Sequence, residues 1–238
     1  MYPCPSFRVF FSTDSLAIFE AITQLYTDDI SKEMVGGYYS AVLSKPKVRD
    51  RIKTIDDDVK KQYFNDIDLS NEYDYKVLVV TSVCHSYLNL DFSDYDVLIT
   101  VGIFQYMDRA LAVNPKLTVF CTNTLSDCRA FTKMLFMSFA SDCIVDIDLY
   151  DLVMFFGMSN KKSKLIHHLG FKELIGKEES INYALVYGYG IQIGLSYLTD
   201  IYMQYTSLDI PNMCFLGCTG NRAVDLEEGI FVVYDREE

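Results

Sequence analysis

The sequence predicts a doubly wound α/β sheet of parallel strands over its first half, followed by a mostly helical C-terminal segment. Three observations carry this expectation. Four runs, "YKVLVVTSV", "YDVLITVG", "KLTVFCTN" and "DCIVDID", are continuously apolar rather than alternating, as strands covered on both faces are. Helix-like stretches lie among them, "FQYMDRALAV" and "LSDCRAFTKMLFMSFA", so strand and helix alternate from residue 7 to about residue 156. After about residue 150 the long β-branched runs stop and apolar residues fall at spacings of three and four, as on helices.

Taken in order, "FRVFF" is a short apolar strand ending at Phe11, and Ser12 to Asp14 form a polar turn that can cap a helix. Leu16, Ile18, Phe19, Ile22 and Leu25 then follow at helical spacing. Residues 31–75 are charged and mixed in sign, and read as short helices and loop on the surface. The parallel-strand series follows and closes at "DCIVDID". Beyond it, "KLIHHLGFKELIGKEESINYALVYGY" reads as helical, and the closing "GIFVVYD" is a strand by propensity but a last helix by context. The expected domains are therefore 1–151 and 152–238, with an insertion at about 31–75.

Composition narrows the function classes. The chain has 238 residues, half of them apolar, enough for one large core or two small ones. Its net charge of −12 opposes broad electrostatic capture of nucleic acid or an anionic membrane, leaving only local basic contacts. Seven cysteines, an odd number at irregular spacings, suit buried thiols in a reducing compartment, so a cytoplasmic location is expected. No window reaches the ~18 apolar residues of a membrane span and no export signal is visible, so no membrane partner is expected.

Motifs for small-molecule chemistry are weak. "GMSNKKSK" lacks the second glycine of a phosphate loop and reads as a helix cap at Ser159 or Asn160 with a basic first turn. Cys214 and Cys218 have the wrong spacing for zinc and no second pair, and read as core thiols. "TIDDDVKK" is a solvated acidic run, and His85 a loop residue. On a helix, His167 and His168 would stand about 100° apart and could not share a ligand. His167 is then a packing residue and His168 a solvated one. No nucleophile and base pair can be named, so no enzyme activity, cofactor or metal is expected.

The order of these elements resembles a response-regulator receiver domain, a flavodoxin-like fold. In that family the first strand ends in acidic residues that hold magnesium, a place taken here by Thr13 and Asp14. The third strand ends in the aspartate that accepts phosphate, where this chain has Thr100, Val101 and Gly102. Thr122 matches the family's Thr or Ser after the fourth strand, and Asp146 stands where the fifth strand carries a lysine. The resemblance thus implies a degenerate receiver without phosphorylation, since transfer to a carboxylate needs the carboxylate, a metal and a nearby cation.

The second half is similar to the effector domain of the stage-zero sporulation master regulator family. Ile166, His167, Leu169, Gly170, Phe171, Ile175, Ala184, Leu185 and Tyr187 carry the shared pattern, and "NRAVDLEEGIFVVYD" falls where that domain's recognition helix would lie. The resemblance implies a cytoplasmic, dimeric transcription regulator of two-component type, with Asn221, Arg222, Lys161, Lys162 and Lys164 as candidate DNA contacts. Against DNA stand Asp225, Glu227, Glu228, Asp235, Glu237 and Glu238, which would face phosphates with only Arg236 added, and Gly229, which costs a helix about 1 kcal/mol relative to Ala. The alternative is a degenerate paralogue that acts as a protein-interaction module, binding a protein partner or a second copy of itself and no DNA.

Overall fold

A computed structural model of the chain describes residues 6–23, 30–35, 38–46, 73–81, 91–102, 107–140, 142–145, 165–175, 181–190, 194–219 and 227–234. In chain order these form β1 (Ser6–Thr13), α1 (Leu16–Thr23), β2 (Ile30–Val35), β3 (Tyr38–Pro46) and β4 (Tyr73–Val80). A 3-10 turn (Phe92–Asp94), β5 (Val97–Val101), α2 (Met107–Val113), β6 (Thr118–Thr122), α3 (Leu125–Ala140) and β7 (Asp142–Val145) follow. The second half contributes β8 (Leu165–Leu169), α4 (Phe171–Leu174), β9 (Ile181–Gly190), α5 (Leu195–Thr206), β10 (Asn212–Thr219) and β11 (Glu227–Tyr234).

All eleven strands join one mixed sheet in the order β2-β3-β1-β4-β5-β6-β8-β11-β9-β10-β7. Strands β1, β4, β5, β6 and β8 run parallel, as do β9 and β10. Antiparallel strands intervene at β3, β11 and the edge strand β7. The continuous apolar runs at β4 and β5 behave as their pattern predicts: Val77 to Val80 and Val97 to Thr100 are all buried.

This architecture corrects the expectation of a receiver-like parallel sheet followed by a mostly helical domain. Residues 30–35 and 38–46, read as short helices and loop, form β2 and β3, paired antiparallel, with β3 also antiparallel to β1. The strand at 142–145 does not lie beside β6, where a receiver's fifth strand would be; it pairs with β10 at the far edge. The place beside β6 belongs to β8, built from the His167–His168 stretch read as helix. The supposed recognition helix is the strand β11, hydrogen-bonded on one side to β8 and on the other to β9. Its propensity prevails over the helical context: Phe231, Val232 and Val233 are β-branched or aromatic and fully or almost fully buried. Gly229 also fits the strand, since it lies beside the His168 and Tyr187 side chains where a Cβ would collide.

Helix α3 packs this sheet together. Its Phe136 meets Phe11 of β1 edge-on at 4.9 Å, and Phe131 touches Phe120 of β6 at 5.0 Å and Phe231 of β11 at 5.4 Å. One helix face thus reaches from the first strand to the last. Burial of such an aromatic side chain contributes on the order of 1.5–3 kcal/mol. Helix α5 buries Ile201 and Tyr205 in a second cluster, with Ala184 and Val186 of β9 and Ile230 and Val232 of β11. Those strand residues alternate with Leu185, Tyr187, Phe231 and Val233 of the α3 cluster, so the two helices cover opposite faces of the same strands.

Two substitutions test this packing. Phe131→Ala should cost about 3–5 kcal/mol in urea denaturation, because it opens a cavity where β6 and β11 meet one helix. Gly229→Ala should cost about 1–3 kcal/mol, since its Cβ would sit 2.5 Å from His168 Nε2. Adding His168→Ala should recover part of that loss; a helix at 227–234 would instead gain stability from the alanine.

Candidate functional site

Open α/β sheets bind ligands at the carboxyl ends of their parallel strands, so that edge is the first place to look. At the end of β1, Ser15 caps α1: its carbonyl accepts the Phe19 amide at 3.0 Å and its Oγ the Ile18 amide at 3.4 Å. Thr13 is buried and its Oγ1 accepts the Ser15 amide at 3.1 Å. Asp14 points across to the end of β4, where the Thr81 amide and hydroxyl each donate to its Oδ1 at 2.9 Å. At the end of β5, the Thr100 hydroxyl donates to the Gly102 carbonyl at 3.0 Å. Gly102 takes φ +68°, a left-handed turn open to glycine, and its amide donates to the Thr122 carbonyl at 2.7 Å. The Thr122 hydroxyl in turn donates to the Thr100 carbonyl at 2.7 Å.

The next strand end is governed by Asp127, a buried carboxylate in the first turn of α3. Thr124 and Asp127 cap each other: the Asp127 amide donates to Thr124 Oγ1 at 3.1 Å, and the Thr124 amide donates to Asp127 Oδ2 at 2.9 Å. The Thr124 hydroxyl adds a 2.8 Å bond to the same Oδ2. Oδ1 accepts the backbone amide of His168 at 2.9 Å, which ties the helix start to β8. Behind this turn the Cys128 thiol is fully buried. Burial pushes its pKa up to about 12; the neighbouring Thr122 hydroxyl opposes the rise, and the charges of Asp14 and Asp127 add to it.

These contacts settle where the predicted residues fall. Thr13, Asp14, Thr100, Val101 and Thr122 do gather at one sheet edge, but the polar four serve as internal hydrogen-bonding groups and Val101 packs against the core. The residues here do not fit the magnesium site that the receiver family carries at this edge. Asp14 Oδ1 already takes two bonds from Thr81, both Asp127 oxygens serve the helix start and β8, and no carboxylate ends β5. Asp146, Lys161, Lys162, Lys164, Asn221 and Arg222 lie outside the described residues. The two histidines, expected 100° apart on a helix, lie on successive positions of β8 opposite Val232 and Phe231, and so point to opposite faces. His168 is not simply solvated: its Nε2 lies 2.8 Å from the Tyr187 hydroxyl, and its ring packs on Phe231 at 5.0 Å.

A second place offers more room. Helix α5 and the strands β9 and β10 enclose an apolar cleft of about 170 Å³ lined by Val186, Gly188, Leu195, Leu198, Tyr202 and Phe215, among others. Tyr202 packs on Phe215 with ring centres 4.6 Å apart. Beside it the Tyr197 hydroxyl donates to the Glu228 carboxylate, and desolvation, then that acceptor, hold Tyr197 well above its ordinary pKa. Three of the seven exposed large apolar side chains among the described residues stand on this one helix: Leu195 is 67%, Tyr202 46% and Met203 63% exposed. The sequence signal for this surface is the near absence of charge along "LSYLTDIYMQYT", where a solvated helix would carry several charges.

Compared with known proteins, the chain matches no family model and no curated protein.

The buried thiol predicts a pH dependence. The folded-state pKa of Cys128 lies above its ordinary value of 9.0, so its contribution to stability is complete below pH 9 and is lost as pH rises toward 12. Tyr205, raised from 10.0 to about 12 chiefly by burial, acts in the same direction. The urea midpoint should therefore fall between pH 9 and 12, and less steeply in Cys128→Ala.

Proposed function

We propose that this chain is a protein-interaction module whose recognition element is α5, and that it neither accepts phosphate nor reads DNA. The observation that carries the reading is the exposed apolar surface of α5, Leu195, Tyr202 and Met203, next to the cleft beneath it. An apolar surface concentrated on one helix and adjoining an apolar cleft is what a binding partner covers. The carboxyl edge supports the same conclusion from the other side, because Asp14, Thr100, Thr122 and Asp127 spend their polar atoms on the protein itself.

The reading as a sporulation-type transcription regulator has no comparable support. It needs a helix at 227–234 to enter a major groove, and those residues are a strand with neighbours on both sides. The similarity to that family stays one of residue pattern. We place the module in the cytoplasm because Cys121, Cys128 and Cys214 are not bridged by disulfides. Among the described residues no helix is long and apolar enough to cross a membrane.

Two measurements check this proposal. Affinity capture with the wild-type chain should retain a protein that the Leu195→Asp/Met203→Asp variant loses, with an unchanged melting curve; an identical set on both would count against α5. Fluorescence anisotropy with a sporulation-type promoter box and a scrambled duplex should show no preference between them at low or moderate salt, whereas preference for the box would revive the regulator reading.

A further inference from the structure

At the far edge of the sheet two cysteines fall opposite each other. The edge strand β7 runs antiparallel to β10, with Gly217 opposite Val145, Cys218 opposite Cys143 and Thr219 opposite Asp142. A regular ladder continuing from the Gly217 and Val145 pair would set Ile144 opposite Cys218. The register shifts between Gly217 and Cys218 instead, so Ile144 is passed over and Cys143 takes that place. A bulge of this kind re-aims one residue of a sheet edge, and here it sets cysteine against cysteine.

The placement suits a disulfide. Directly opposite residues of antiparallel strands share one sheet face and have Cα atoms roughly 4.5–5.5 Å apart, inside the span of roughly 4.4–6.8 Å that a disulfide bridges. Among the described residues no other two cysteines are placed this way: Cys121 of β6 stands opposite Thr100, Cys214 of β10 opposite Leu185, and Cys128 lies on α3. On its other side Cys218 is opposite Tyr189 of β9, over whose ring Lys133 of α3 stands at 5.2 Å. A cation near that strand position favours the thiolate, the form that attacks a disulfide.

Such a bond would matter to the whole second half. Asp127 fastens the start of α3 to β8 through the His168 amide, and β7 begins just beyond the end of the same helix. A bond from Cys143 to Cys218 would therefore fasten the other end of α3 to β10. The loop it closes contains β8, α4, β9, α5 and most of β10. Closing a long loop removes more freedom from the unfolded chain than closing a short one. The bond would also hold β10 beside Gly217, which lines the cleft under α5 together with Phe215.

We infer that Cys143 and Cys218 are a redox-active pair, a dithiol in the reducing compartment proposed above and a disulfide when the surrounding pool of small disulfides rises. The reaction is thiol–disulfide exchange with glutathione disulfide or another low-molecular-weight disulfide. The thiolate of one cysteine attacks a sulfur of the oxidant, forming a mixed disulfide and releasing one glutathione thiolate. The thiolate of the other attacks the protein sulfur of that bond, forming the Cys143–Cys218 bond and releasing the second glutathione. Two protein thiols are oxidised, one glutathione disulfide is reduced, and the two protons the cysteines lose end on the two glutathione thiols. The pairing does not depend on whether α5 binds a partner.

The test is incubation of the reduced full chain with glutathione disulfide, then blocking of the remaining thiols with N-ethylmaleimide, proteolysis and mass spectrometry. The expected result is a pair of peptides joined through Cys143 and Cys218 that dithiothreitol separates, with a monomer on a non-reducing gel. In Cys143→Ser, Cys218 should instead keep a glutathione adduct, because no second thiol stands opposite to resolve it. The oxidised wild type should melt about 5–10 °C above the reduced chain. That gap should vanish in Cys143→Ser and persist in Cys214→Ser. A bridge from Cys218 to Cys214 or to any other cysteine, a disulfide-linked dimer, stable glutathione adducts on both residues of the wild type, or two thiols left unreacted would overturn the inference. So would oxidised and reduced chains that melt together.

Discussion

The fold depends on the junction between β6 and β8, where the two halves of the chain become one sheet. The strand pairing there is brief, with Thr122 opposite Ile166 and the Asn123 amide donating to the Ile166 carbonyl at 2.9 Å. Asp127 extends it. One of its oxygens completes the cap of α3 and the other holds the His168 amide, so the helix that packs the first half is anchored to the first strand of the second. A buried carboxylate is costly unless its oxygens are satisfied; here three of the bonds it accepts come from backbone or side-chain donors fixed by the same turn and strand. Phe131, one turn further along α3, then meets both β6 and β11.

From that junction the functional surfaces follow. Joining β8, β11, β9 and β10 to the parallel strands gives the second half a sheet with two faces. The α3 face closes over an aromatic layer in which Tyr187 stacks on Tyr189 and on Phe231, with Lys133 above the Tyr189 ring at 5.2 Å. The other face receives α5, whose Ile201 and Tyr205 are buried while Leu195 and Met203 remain exposed. The helix is thus anchored by one set of apolar side chains and presents a second set to solvent. The carboxyl edge of the first half, by contrast, is stitched shut by threonines.

Much of the first half was legible in the sequence. Continuous apolar runs marked β4, β5 and β6, and "LSDCRAFTKMLFMSFA" is α3 residue for residue, although Ser12 and Thr13, read as a polar turn, extend β1. What failed was neighbourhood. Local pattern identified 142–145 as a strand but could not say that it pairs with β10 at the opposite edge, because lateral order in a sheet is decided by long-range packing. In the second half, runs as short as "LIHHL" and "GIFVVYD" fit a strand or a helical turn equally by periodicity, and the resemblance to a helical effector domain tipped both the wrong way. Gly229 was a usable sign, awkward in a helix and natural where a histidine ring crosses a strand. At the candidate site Asp14 was found, but its partner Thr81 was not, since a hydrogen bond across 67 positions leaves no local trace. The Thr124 to Asp127 spacing, a capping signature, was present and passed unread.

The claim on which all of this rests is that β11 is a strand inserted between β8 and β9. Backbone nuclear Overhauser effects in a labelled sample measure it directly. The account predicts cross-strand contacts pairing Phe231 with His168 on one side and with Leu185 on the other. Contacts between residues three apart along 227–234, with none to residues 165–169, would mean a helix and would contradict it.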